Sequence, residues 1–160
     1  LQLASLHPHV VVTRTFSKAY GLAALRIGYA ISNPALAGVL ERTRLTFNVN
    51  LYAQAAAAAA IADVDHVERV RAANAEQRER LRAGLQKLGL FVFPSQGNFL
   101  LADFARPAKP VEDALLKRGV IVRPMGGYGL PTCLRITVGL GHENDELLDA
   151  LGRVLHEDLA

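Results

Sequence analysis

Apolar and polar positions change period several times along the chain. Val10-Val11-Val12 is a β-branched run of the kind that forms a buried strand, and Arg26 to Ile31 predicts a second strand ended by Asn33-Pro34. Proline in a first helical turn then predicts a helix from Pro34, with Leu36, Val39 and Leu40 on one face. Asn48-Val49-Asn50 interrupts it. The alanine-rich stretch Leu51 to Ala62 has high helix propensity and little bulk, so it is expected to pack closely against neighbours. Asp63-Val64-Asp65 offers caps for a long helix to about Leu88, with Val67, Val70, Leu81, Leu85 and Leu88 at helical spacing and Gly89 as its C-cap.

The later part alternates again. Phe91-Val92-Phe93 and Asn98 to Ala102 read as strands around the turn Pro94 to Gly97, Pro110 to Arg118 as a short helix, and Val120-Ile121-Val122 as a strand. Leu134 to Val138 reads as another strand and Glu143 to His156 as a closing amphipathic helix. Strands alternating with helices imply an α/β class, and no repeat indicates a solenoid.

Composition narrows the function classes. In 160 residues, 51% hydrophobic and 21% charged, enough surface can be buried to offset chain entropy, which excludes a disordered tail. The 18 basic and 15 acidic residues are interspersed, so no nucleic-acid arm is expected. The most apolar stretch, Leu51 to Ala62, falls short of the roughly 20 residues that span a bilayer, so no membrane partner is expected. Glu68, Arg69, Arg71, Glu76, Arg78, Glu79, Arg80 and Arg82 alternate in sign and read as a solvated helix face. Cys133 alone makes no disulfide framework and reads as a small strand residue. The five histidines are scattered, so no metal site is assigned. Without a signal-peptide pattern the expected compartment is the cytoplasm. The start Leu1-Gln2-Leu3, with Met125 as the only methionine, leads to the expectation of a later part of a longer protein.

The chemistry-bearing segment is Thr15-Phe16-Ser17-Lys18-Ala19-Tyr20-Gly21, continuing to Arg26-Ile27-Gly28. A lysine just after a strand stands where ligands of α/β proteins collect. A hydroxyl precedes it, and a glycine- and alanine-rich stretch leads to an arginine. A phosphorylated aldehyde needs such a set: an amine that condenses with the carbonyl, and hydroxyl and guanidinium donors for the phosphate.

This segment resembles the lysine motif of fold-type I pyridoxal-phosphate (PLP) aminotransferases. Phe47-Asn48-Val49-Asn50, Gln96-Gly97-Asn98-Phe99, Gly119 to Pro124, Tyr128 to Pro131 and Leu134 to Gly139 resemble blocks of the histidinol-phosphate aminotransferases within that group. The resemblance implies that Lys18 carries PLP and serves as general base, with Ser17 and Arg26 anchoring the phosphate, Thr15 assisting, and Tyr20 as apt to pack as to function. It implies that Arg135 receives the α-carboxylate of glutamate. Arg123 then receives a substrate phosphate or glutamate's side-chain carboxylate, a task suited to the planar guanidinium.

The fold so implied is α/β: residues 1–62 end the large PLP-dependent transferase domain, and residues 63–160 form a connecting long helix and a small C-terminal α/β domain. The implied reaction exchanges an amino group between L-glutamate/2-oxoglutarate and histidinol phosphate/imidazole-acetol phosphate, in a homodimer when full length. Residues that the family places before the lysine strand are absent, so the chain is expected to be inactive alone. Alternatives are an aromatic aminotransferase, an amino-acid-phosphate decarboxylase, or a non-catalytic α/β module.

Overall fold

The computed structural model describes residues 7–158. The chain divides into two compact units, Leu1–Arg71 and Ala72–Ala160, and the division falls inside the longest helix.

In the first unit, β1 (Val12–Thr15) and β2 (Gly28–Ile31) pair antiparallel, Val12 opposite Ile31 and Thr15 opposite Gly28. The strand expected at Val10 begins only at Val12, and it is not buried: Thr13, Arg14 and Thr15 are exposed, because β1 has β2 alone as its described partner. Arg26 likewise lies outside β2, in the left-handed region at φ 51°. Gly28 permits a tight approach, since a Cβ there would stand 2.6 Å from the Arg14 carbonyl oxygen.

Asn33 caps α1 (Pro34–Thr43) by accepting from the Leu36 amide at 3.0 Å. Asn50 does the same for α2 (Leu51–Ala62) through the Ala53 amide at 2.8 Å. Only Ala53 and Ala57 of α2 are buried, and Val39 and Leu40 of the expected apolar face of α1 stand exposed. Asp63 caps α3 (Val64–Lys87) through the His66 amide.

The second unit is a two-layer α/β arrangement. Its sheet has the order β3-β4-β6-β5, with β3 (Phe91–Val92), β4 (Phe99–Asp103), β5 (Arg123–Pro124) and β6 (Cys133–Thr137) paired antiparallel throughout. Period-two alternation turns Leu100, Ala102, Leu134 and Ile136 into the core. There they meet Leu81 and Leu85 of α3, Val111 and Leu115 of α4 (Lys109–Lys117), and Leu147 and Leu151 of α5 (Gly141–Arg153). Each fully buried leucine contributes about 1.5–3 kcal/mol by leaving water. A turn of π-helix, Val154–Asp158, follows α5, so the closing helix expected to His156 changes hydrogen-bond pattern after Arg153.

Two further expectations are corrected here. Val120-Ile121-Val122 forms no strand: the Val120 amide bonds the Leu115 carbonyl, and pairing with β6 covers only Arg123 and Pro124. Arg78 is not on the solvated face of α3 but buried, at 8% exposure. Arg80, though exposed, bonds the Gly141 carbonyl and pairs with Asp145. Among the described residues no helix is long and apolar enough to cross a membrane.

Candidate active-site residues

The first group of candidates sits in the loop that joins β1 to β2. Phe16, 2% exposed, is its anchor: the amide bonds the Ile27 carbonyl at 3.2 Å, and the carbonyl accepts from Leu22 at 2.9 Å. The first of these bonds carries the β1–β2 register one place beyond the strands. Ser17 follows one member of that bonded pair and Arg26 precedes the other, so the fold brings both to the mouth of the hairpin.

Lys18 is exposed, and its carbonyl accepts from the Gly21 amide at 2.8 Å, which closes a turn beneath the side chain. Its amine has no hydrogen-bond or ion-pair partner among the described residues. Arg26 spends one donor, Nη1, on the Ala23 carbonyl at 2.8 Å. A guanidinium has five N–H donors, so most of the fork stays open.

Thr15 Oγ1 accepts from the Ser17 amide at 3.1 Å and so shapes the turn. The Tyr20 ring lies 4.8 Å from Phe16, in a packing contact. A cleft in the same unit runs between Gly28, Glu41, Arg44 and Phe47, and neither Ser17 nor Lys18 lines it.

Arg123 and Arg135 form the second group, in the second unit. They are direct partners in the β5–β6 register, which sets both side chains on one face of the sheet. Arg123 is exposed and donates through Nη2 to the Tyr128 hydroxyl at 3.0 Å, with its guanidinium carbon 5.6 Å from that ring's centre. Arg135 is half-buried over Phe99 at 5.1 Å, and its Nε is buried without a hydrogen-bond partner. Neither guanidinium has a carboxylate within ion-pairing distance among the described residues. Two opposed cations without counter-charges raise the local positive potential.

Sequence reasoning assigned no role to Phe99, Tyr128, Asn74 or Arg78. The two aromatics lie inside blocks singled out above, but only the contacts in space show which arginine each ring lies against.

The match to the family model described as aminotransferase class I and II spans residues 1–154. The chain belongs to the class I and II aminotransferase family. It is 53% identical over 158 residues to histidinol-phosphate aminotransferase 2 of Pseudomonas aeruginosa, covering 99% of this chain and 43% of that protein. Identity to histidinol-phosphate aminotransferase of Anaeromyxobacter sp. is 54% over 156 residues, covering 97% and 43%. The crystal structure of histidinol-phosphate aminotransferase from Sinorhizobium meliloti, in complex with pyridoxal-5'-phosphate, superposes with a TM-score of 0.87 at 37% identity, over 96% of this chain and 42% of that one. This aminotransferase chain therefore spans less than half the length of these relatives. Its α/β class agrees with theirs.

Proposed function

We propose that the full-length protein is a PLP-dependent histidinol-phosphate aminotransferase, moving an amino group between L-glutamate/2-oxoglutarate and histidinol phosphate/imidazole-acetol phosphate. The observation that carries the reading is the β1–β2 loop, which presents an exposed, unpartnered Lys18 amine and has Ser17 and Arg26 at its two ends, just beyond the Phe16–Ile27 bond. That donor set fits a phosphorylated aldehyde. When bound, PLP supplies the aldehyde that condenses with amines and the electron-withdrawing ring that stabilises charge at the carbon losing its proton.

This chain's residues do the rest. The Ser17 hydroxyl and the open fork of Arg26 hold the phosphate, and Thr15 keeps the Ser17 amide in its turn. Lys18 Nζ would hold the aldehyde of the cofactor and, once free, would accept the proton that leaves the substrate's Cα. Arg135 receives the α-carboxylate of glutamate. Arg123 receives the phosphate of the other substrate or the side-chain carboxylate of glutamate. Both tasks suit the opposed, uncompensated guanidinium pair. Residues 1–62 end the cofactor domain and 63–160 supply the connecting helix and the small domain, in a cytoplasmic homodimer.

Borohydride reduction of the full-length enzyme with PLP, followed by peptide mapping, is expected to place the pyridoxyl label on Lys18. Turnover is expected with histidinol phosphate and 2-oxoglutarate together. A label elsewhere overturns the assignment of Lys18. Carbon dioxide release, or preference for an aromatic amino acid, overturns the assigned reaction. The 160-residue chain alone is expected to give no turnover.

A further inference from the structure

Arg78 is a buried cation that the proposed reaction does not use. Its Nη1 donates to the Gly97 carbonyl at 3.3 Å, and from one turn earlier on α3 Asn74 Nδ2 donates to the same oxygen at 3.2 Å. Arg78 Nε makes no hydrogen bond, and the nearest acid, Glu79, is 3.8 Å away and exposed. Burying a guanidinium is costly unless hydrogen bonds or an ion pair offset the lost hydration. Here two donors from one helix take both lone pairs of a single loop carbonyl.

What that loop touches gives the arrangement its purpose. Position 97 lies against the Phe99 ring: a Cβ built on Gly97 would stand 3.5 Å from its Cε1. Ser95 Oγ accepts from the Gly97 amide at 3.1 Å and donates to the Phe99 carbonyl at 2.7 Å. The Asn98 carbonyl is bonded by the Val138 amide at 2.9 Å. The Phe99 ring in turn lies 5.1 Å from the Arg135 guanidinium carbon.

We infer that Asn74 and Arg78 are positioning residues: through the Gly97 carbonyl they fix the Phe99 ring, and with it the direction of the Arg135 guanidinium. The inference rests on Arg135 as the receiver of glutamate's α-carboxylate.

The test is steady-state kinetics of the full-length enzyme with Asn74→Ala, Arg78→Met, Arg78→Lys and, as reference, Arg135→Lys. Asn74→Ala and Arg78→Met are each expected to raise KM for glutamate by about 3- to 10-fold, the weight of one hydrogen bond. In both, kcat, KM for histidinol phosphate and the absorbance of bound PLP stay at wild-type values. Arg78→Lys, which keeps a donor, is expected to recover most of the loss. Asn74 is half-buried on a helix where alanine is favoured, so Asn74→Ala carries the test if Arg78→Met does not fold. If Arg135→Lys raises KM for glutamate while Asn74→Ala leaves it unchanged, the positioning role is refuted and the reading of Arg135 stands. If Arg135→Lys leaves KM unchanged, both fall. A parallel loss of kcat and PLP binding in Asn74→Ala would mark a merely structural contact and also refute the inference.

Discussion

Arg123 and Arg135 face each other as direct partners across β5 and β6, each guanidinium beside a different aromatic ring. Like charges placed so are mutually destabilising, and an anion between them relieves the repulsion. The two are not equivalent. Arg135 is half-buried with an unpartnered Nε, whereas Arg123 is exposed and already bonded to Tyr128. Arg135→Lys in the full-length enzyme is therefore expected to weaken glutamate binding by about 1.5–3 kcal/mol, a rise in KM of roughly 10- to 150-fold. Arg123→Lys is expected to act more strongly on the phosphorylated substrate. Steady-state kinetics of each substrate in turn checks this, and equal losses for both substrates in both variants would contradict the division of labour.

The tightest backbone approach in the hairpin is at Gly28. A methyl group there would come within 2.6 Å of the Arg14 carbonyl oxygen, a rigid backbone atom that cannot rotate aside. Gly28→Ala is expected to destabilise the chain by about 1–3 kcal/mol, as overpacking does. Because Gly28 opposes Thr15 one register step from the Phe16–Ile27 bond, PLP binding should weaken in the same variant. Urea denaturation and cofactor titration measure the two effects. Wild-type values for both would show that β1 and β2 separate at no cost.

Leu81 and Phe47 make the opposite pair of cases. Leu81 is fully buried among Leu85, Leu100 and Leu151, so Leu81→Ala is expected to cost about 2–5 kcal/mol. Phe47 is 96% exposed, and Phe47→Ala should change the stability of this chain by less than about 0.5 kcal/mol. Midpoints of urea unfolding compare them directly.

What the sequence makes legible is local. The cap at Asp63 lies within three residues of the amide it satisfies. The hydroxyl-lysine-arginine set around Lys18 shares one short loop. Val120 to Val122 has strand-forming residues yet no ladder, because pairing depends on where the partner lies: β6 meets the chain only at Arg123 and Pro124. Arg78 looks like its charged neighbours on α3, and only the tertiary approach of Gly97 separates it from them. Arg26 sits in an apparent strand sequence but adopts a left-handed backbone after a short turn of 3-10 helix, Ala23–Leu25. Register and long-range carbonyls are what propensity and spacing lack.

That left-handed backbone separates structural from functional roles at Arg26. A non-glycine residue at φ 51° pays roughly 1–2 kcal/mol in Cβ crowding, which glycine avoids. Glycine loses about 0.5–1 kcal/mol more chain entropy on folding, so the two effects nearly offset and Arg26→Gly should keep the thermal midpoint within a few degrees. The side chain's only described hydrogen bond is to the Ala23 carbonyl at an exposed site, so little stability leaves with it. Loss of a charged phosphate donor, however, should cost about 1.5–3 kcal/mol of PLP affinity, or roughly 10- to 150-fold in Kd. Arg26→Ala should lose the same affinity and, since alanine keeps only the Cβ crowding that wild type already carries, should also melt near the wild-type midpoint. Thermal melts of both variants beside PLP titration of the full-length apoenzyme distinguish the cases, and unchanged PLP affinity in Arg26→Gly would remove Arg26 from the phosphate site.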